Sequence, residues 1–472
     1  MFCPVLATAA DKSSTGSNWV TIDILPDDTL LEIFNSYLVE ASYTEKWHTL
    51  VHVCSRWRRI VFASPRRLDL RILFTTKTEV KALHIWPILP IKVEVWDSRT
   101  MWGADNIVAV LEHNDRICQL LLDNLPSSLL ERIATAMQVL FPALTDLRLC
   151  ASTMDRAVPV FPEGFLEGSA PRLRSCKLFG VQIPSIWKIL LSANHLIDLH
   201  LTHIPHSGYI SPEAMVAALS AAPNLKELEL GFQSPRSGRD RGGSLPSLLT
   251  RITLPALTLF RFYGVCEYIE CLVSLIDIPL LRDADITFFN QLVFNAPLLR
   301  AFFARTENFN AHKRATMIFD NHAVYLQLDP GSPGQVSCML QMRIKCTKLD
   351  WQLSSMAQLC SSSLPPFSTL ERLDILKYPI LPQRQDYDVE NTQWLELLRS
   401  FTAIKDLHPI NDLARLIAPA LQELSTGGNV TEVLPTLQNL VIDIQPSGLI
   451  QKAILQFVSA RQLSGHPVAV HS

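Results

Sequence analysis

Two hydrophobic rhythms divide the chain. Near the start, Leu30, Ile33, Phe34, Tyr37 and Leu38 recur at i, i+3, i+4, i+7 and i+8, the spacing of one helix face. Ile24-Leu25-Pro26-Asp27-Asp28 precedes them: proline tolerates the first turn, and two acids there complement the positive end of the helix dipole. A helix directly after Pro26, with all five apolar side chains buried, is therefore expected. A second stripe runs through Trp47, Leu50, Cys54, Trp57 and Val61, flanked by Val53 and Ile60, with His52, Arg56, Arg58 and Arg59 on its other side, and ends near Ser64-Pro65.

From about residue 140 a different pattern takes over, apolar-x-x-apolar-x-apolar, usually just after a proline. It appears as Leu144, Leu147, Leu149; Leu173, Cys176, Leu178; Leu196, Leu199, Leu201; and Leu225, Leu228, Leu230. It continues as Leu257, Phe260, Phe262; Leu281, Ala284, Ile286; Leu299, Phe302, Ala304; Leu370, Leu373, Ile375; and Leu437, Leu440, Ile442. The early copies lie roughly 23 to 32 residues apart, which brackets the period of leucine-rich repeats. The closing apolar-x-apolar has the period of a strand with one face inward. Helical stretches such as Ser185 to Ala193 and Ser211 to Ala221 fall between copies, the second opened by Ser211-Pro212-Glu213. One strand plus one helix per copy predicts an α/β solenoid with parallel strands.

The residues Leu25-Pro26, Leu30, Ile33-Phe34, Leu50, Val53-Cys54 and Arg56-Trp57-Arg58 stand in the order of the F-box signature, over about a tenth of the chain. The segment resembles an F-box, and the whole chain is similar to the expanded fungal families that join an F-box to degenerate leucine-rich repeats. That resemblance implies that Leu25, Pro26, Leu30, Ile33 and Phe34 face a Skp-type adaptor of a cullin–RING ubiquitin ligase. Leu50, Val53, Cys54 and Trp57 would mix core and contact roles. The connection Val39 to Lys46 is longer and more polar than the family's. The same stripes also fit a small helical cap on the repeat array, and a non-ligase interaction scaffold is the alternative function.

In the repeat pattern the residue between the last two apolar positions faces away from the core: Arg148, Lys177, His200, Glu229, Arg261, Asp285 and Asp374. Their signs are mixed, which suits a protein target on the concave side better than a polyanion. These residues are the candidate target-binding positions. The expected organisation is a disordered leader over 1–18, the F-box over 19–70, a linking region over 71–138, the solenoid over 139–445 and a closing segment over 446–472. Within the linking region Leu83 to Trp96 reads as strand, and Asn106 to Glu112 and Ser127 to Leu140 as helices. Gly448 to Leu463 reads as a helix with Ile450, Ile454, Phe457 and Val458 inward, and 464–472 as a frayed end.

Bulk composition changes this picture little. The 472 residues are 48% hydrophobic and 18% charged, enough to bury a large core, and the net charge of −3 creates no global field for nucleic acid or anionic membrane. Ten scattered cysteines fit reduced thiols, and neither a signal peptide nor about 18 uninterrupted apolar residues occurs, so a cytoplasmic or nuclear location is expected. His195, His200, His203 and His206 crowd together without a ligand set around them, and no metal or cofactor is expected. Ser234 to Gly243 reads as a flexible basic loop, and Arg56, Arg58, Arg59, Arg66 and Arg67 as a solvated basic face. No phosphate loop, nucleophile elbow or zinc-protease motif is present, so the chain is read as non-enzymatic, with a Skp-type adaptor and an unidentified protein target as partners.

Overall fold

The computed structural model describes residues 22–39, 46–75, 78, 80–84, 87–96, 104–235, 251–291, 293–309, 312–329, 339–362, 364, 367–378, 390–410, 413–426, 430–442 and 448–471. The expected leader at 1–18, most of the Val39–Lys46 connection and most of the 234–243 loop lie outside these residues. The chain divides into two compact units, one of residues 1–73 and 81–91, the other of 74–80 and 92–472.

The first unit holds three helices, α1 (Asp27–Val39), α2 (Trp47–Val53) and α3 (Ser55–Ala63). Helix α1 begins where the proline and the two acids place it. Its expected five-residue buried face is narrower in fact: Leu30, Leu31 and Phe34 are buried, whereas Ile33 and Tyr37 are 42% and 39% exposed. The helix lies on a small core that needs only one line of contacts, so the flanking positions stay outside.

The second stripe is carried by two helices, so the module holds three, within the two or three short helices that its stripes predict. Cys54 is extended (φ −157°, ψ 169°) and separates α2 from α3, its Sγ accepting from the Trp57 N–H at 3.4 Å as an N-cap. The break lets Trp47, Leu50 and Val51 on one side and Ile60 and Val61 on the other all enter the core. The Phe34 and Trp57 rings pack 4.7 Å apart, and the buried Trp47 indole donates to the Arg71 carbonyl at 2.9 Å.

The strands are β1 (Ile72–Phe74), β2 (Ile91–Val95), β3 (Ile117–Leu125), β4 (Asp146–Ala151), β5 (Ser175–Phe179) and β6 (Asp198–Ile204). They continue as β7 (Glu227–Phe232), β8 (Ile252–Thr253), β9 (Leu259–Gly264), β10 (Ile276–Asp277), β11 (Asp283–Phe288) and β12 (Arg314–Phe319). Last come β13 (Ala323–Asp329), β14 (Met339–Lys345), β15 (Arg372–Lys377), β16 (Asp406–Pro409), β17 (Asn439–Val441) and β18 (Ala469–His471). In the second unit one long sheet runs β2-β3-β4-β5-β6-β7-β9-β11-β14-β13-β12-β15-β16-β17-β18. From β3 to β18 neighbouring strands pair in parallel, apart from β13 against both β12 and β14. The short β8 and β10 pair separately.

Helices α4 (Ala104–Val110), α5 (Ser127–Ala136), α6 (Ile186–Ser192), α7 (Pro212–Ser220), α8 (Cys266–Ser274) and α9 (Pro297–Arg305) alternate with these strands. They are followed by α10 (Leu349–Ser362), α11 (Asn391–Arg399), α12 (Leu413–Thr426) and α13 (Gly448–Leu463). Successive helices α6 to α9, and again α10 to α13, pack side by side. The apolar strand positions, Leu147 and Leu149 through Phe260 and Phe262 to Leu373 and Ile375, are buried. The unit is thus mixed α/β with a mainly parallel sheet, as the repeated pattern predicts.

Several sequence expectations are corrected. Leu299, Phe302 and Ala304 do not form a strand; they lie in α9, with Pro297 in its first turn and Leu299, Phe302 and Phe303 buried at i, i+3 and i+4 while Ala304 is exposed. The place in the sheet is taken by β12, β13 and β14, whose alternating apolar residues fall outside the searched pattern. Among the described residues from Leu83 to Trp96, only Ile91–Val95 is strand, while Val80–His84 is a 3-10 turn. Helix α5 stops at Ala136, short of Leu140, and β3 precedes it unforeseen. The 464–472 segment does not fray throughout, because β18 pairs in parallel with β17 and Val468 is buried. Helix α13 buries Ile454 and Phe457 as expected, but Ile450 and Val458 only partly.

Candidate functional site

Register turns the scattered candidate positions of the second unit into one row. Arg148 pairs with Lys177, Lys177 with His200, His200 with Glu229, Glu229 with Arg261, and Arg261 with Asp285. Because side chains alternate along a strand, all six stand on the face opposite the apolar positions. The row continues through Gln341, Gln327 and Thr316 to Asp374 and His408.

Asp374 does not serve as a surface contact. It is 1% exposed, accepts from Arg314 Nε at 2.6 Å and Arg372 Nε at 2.9 Å, and lies 3.2 Å from His408 Nδ1. Its charge is consumed by its own neighbours, so its place among the target-binding candidates is withdrawn. Arg148 is likewise committed, with Nε 2.8 Å from Asp123 Oδ1. His200 Nδ1 meets Glu229 Oε2 at 2.9 Å, and Arg261 reaches the same carboxylate at 3.6 Å. Those contacts hold the Glu229 carboxyl below its ordinary value, the His200 hydrogen bond contributing most.

Two parallel rows flank this one. One position-pair toward the strand starts lie Asp146, Ser175, Asp198, Glu227, Leu259 and Asp283, an acidic line. Burial and then the nearby Glu227 raise the Asp198 carboxyl above its usual value. Toward the strand ends, Gly231 pairs with Tyr263, Tyr263 with Thr287, Thr287 with Arg343, and Arg343 with Tyr325. The face thus grades from acidic at one margin to aromatic and basic at the other.

A depression of about 390 Å³ opens at the basic margin. Gly231 supplies its floor, where neighbouring strands carry side chains; Thr202 and His203 stand on one side and Tyr263 on the other. His203 has a left-handed backbone (φ 52°) at the irregularity between β6 and β7, and its ring packs 4.2 Å from that of Phe179. Lys345 Nζ lies 4.2 Å from the Tyr263 ring centre and donates to its hydroxyl at 2.8 Å. The Arg343 guanidinium sits 4.4 Å over the Tyr325 ring, with Nε buried and lacking a hydrogen-bond partner. Asp285 also lines the depression; burial raises its carboxyl above the ordinary value despite Arg343 and Arg261, and its Oδ1 has no hydrogen-bond partner.

Sequence reading missed Gly231, Tyr263, Thr287, Arg343 and Lys345. It counted one outward position per strand and overlooked the second, two residues on. For β14 the alternation Met339 to Lys345 was a sufficient signal. The histidines of the 195–206 segment diverge: His195 is exposed, His200 turns to Glu229, His203 to Phe179, and His206 Nε2 to Ser234 Oγ at 2.6 Å. Among the described residues no three His, Cys, Asp or Glu side chains converge on a metal position.

In the first unit the residues expected to meet an adaptor fall into three groups by exposure. Leu30 and Phe34 are 0% exposed and Leu50 is buried, so they hold the unit together. Pro26, Ile33 and Val53 are exposed, Val53 by 55%, together with Ile22, Ile24 and Tyr37, while Leu25, Cys54 and Trp57 are half-buried. Several basic residues in and after α3 are tied down: Arg56 bonds Asp27 Oδ1 and the Leu25 carbonyl, both at 2.6 Å, Arg58 bonds the Val51 carbonyl, and Arg67, beyond the helix, bonds Glu32. Arg56 thereby clamps the Leu25-Pro26 entry onto α3.

No family model matches the chain, and no curated protein matches its sequence. Among the described residues no helix is long and apolar enough to cross a membrane.

Proposed function

We propose that the chain is a substrate-recruiting subunit of a cullin–RING ubiquitin ligase. Its first unit acts as an F-box that docks on a Skp-type adaptor. The outward face of the long sheet, read as a degenerate leucine-rich-repeat array, holds a target protein. No chemistry is assigned to the chain itself, and ubiquitin transfer falls to other subunits. The observation that carries this reading is the apolar surface of the first unit, where Ile22, Ile24, Ile33, Tyr37 and Val53 remain exposed beside the Arg56-clamped Leu25-Pro26 entry. A unit with so small a core gains from covering such a surface with a partner. The row of mixed charge on the sheet supports a protein rather than a polyanion as target.

The test is co-purification with a Skp-type adaptor, comparing the wild type with Ile33→Asp and Val53→Asp. Each substitution alters an exposed side chain, so the fold is expected to survive, as circular dichroism checks. Each removes an apolar contact of about 1.5–3 kcal/mol, so binding is expected to weaken by about tenfold or more. Failure of the wild type to bind any adaptor overturns the ligase reading and leaves an interaction scaffold whose helices are a structural cap.

A further inference from the structure

The cations on the sheet face fall into two kinds. Arg148 faces Asp123, and Arg314 and Arg372 share the buried Asp374 carboxylate, all at hydrogen-bonding distance. Lys345 and Arg343 rest instead on the rings of Tyr263 and Tyr325, and neither forms an ion pair among the described residues. A ring fixes the position of a cation while leaving most of its charge and its outward donors available. Both cations line the depression over Gly231, beside the hydroxyls of Thr202, Thr287 and Tyr263.

We propose that the notch over Gly231 binds a carboxylate side chain, Asp or Glu, of a peptide segment in the partner. This deepens the recruitment reading and rests on it for the identity of the partner as a protein. Charge sets the choice among anions. Arg261, Arg343 and Lys345 stand against Glu229 and Asp285 in the lining, a net of one positive charge. That balance matches a carboxylate and falls short of a phosphate dianion. A long polyanion is disfavoured by the acidic line Asp146, Asp198, Glu227 and Asp283 along the opposite margin. A short acidic segment entering at the basic margin meets the cations and avoids the carboxylates. Phe179, beside His203 in the lining, offers apolar contact to its neighbouring residues.

The experiment is a random array of 12-residue peptides probed with the labelled full-length protein, its Lys345→Glu variant and its Gly231→Leu variant, which fills the notch. Thermal unfolding identifies any variant that fails to fold, and the milder Lys345→Met replaces it in that case. Bound wild-type peptides are expected to be enriched in Asp and Glu, with affinity falling about tenfold in the variants. Absence of acidic enrichment, or enrichment that persists in folded variants, overturns the proposal. Tighter binding of phosphoserine versions of the same peptides overturns the carboxylate assignment, and so does stronger binding of a single-stranded oligonucleotide. Adaptor co-purification of the wild type and of the Lys345→Glu variant separates the two readings. Wild-type protein that binds the adaptor but shows no acidic selectivity condemns the notch alone, wild-type acidic selectivity without adaptor binding condemns the ligase reading alone, and a variant that loses only the acidic selectivity supports both.

Discussion

Asp374 on β15 and Arg314 on β12 are joined by a 2.6 Å hydrogen bond between chains of side groups 60 residues apart, and the carboxylate is almost fully buried by the contact. Arg372 and His408 close the cluster from β15 and β16. The cluster lies at the junction where the antiparallel insertion of β12 and β13 rejoins the parallel run. The two guanidinium groups share the one buried carboxylate, which holds them in place across the junction.

Replacing Asp374 by Ala is expected to destabilise the protein by about 2–3 kcal/mol, because two guanidinium groups lose their acceptor while remaining partly solvated. Asp374→Asn keeps the shape and should cost less. Chemical denaturation of the two variants checks the order. Equal stability of wild type and Asp374→Ala would show that the cluster contributes nothing.

Arg461 presents a second buried charge. It is 0% exposed, and its guanidinium donates to the carbonyls of Val430, Pro435 and Leu437 at 3.2–3.3 Å, tying α13 to the turn before β17. Burial lowers its pKa from the usual arginine value. Arg461→Ala leaves these carbonyls without the donor and opens a cavity, so a loss of about 3 kcal/mol is expected. Arg461→Met fills the space and should recover part of it. Hydrogen exchange in β17 and β18 would reveal whether the loss is local.

His203 titrates below its ordinary range, first because it is half-buried and second because Lys345 lies nearby. A depressed folded pKa means that the neutral ring is favoured. Its stabilising contribution is present above about pH 6.5 and is lost as pH falls through the folded value. Lys345→Met removes the repulsion and is expected to shift the His203 titration upward in an NMR experiment. An unmoved titration would place the ammonium too far from the ring to define one notch.

Asp285 reverses the sign. Burial raises its pKa, so the folded state binds its proton more tightly than the unfolded chain, and stability is lost as pH rises through that raised value. Asp285→Asn is therefore expected to melt higher than wild type at pH 7, with the difference shrinking at lower pH.

Much of the architecture was readable because leucine spacing is a local signal. Leu147 and Leu149, or Leu228 and Leu230, announce a strand with one buried face whatever lies beside it, and Pro26 with Asp27 and Asp28 announces the start of α1. Leu299, Phe302 and Ala304 show the limit of that signal. Their spacing satisfies both periods, and only the burial of Phe303 in place of Ala304 reveals the helix. Cys54 shows another: a continuous stripe across residues 47–61 cannot announce that one residue becomes extended.

The amino-acid sequence by itself determined the alternation of inward and outward residues along most of the repeated strands, because that alternation depends only on neighbours a few positions away. Tertiary structure alone decided which outward residues meet. Glu229 meets His200, Lys345 crosses to Tyr263 from 82 residues away, and Asp374 disappears beneath two arginines. Those pairings depend on strand order and register, set by the packing of the whole sheet, and they separate a spent charge from one still available to a partner.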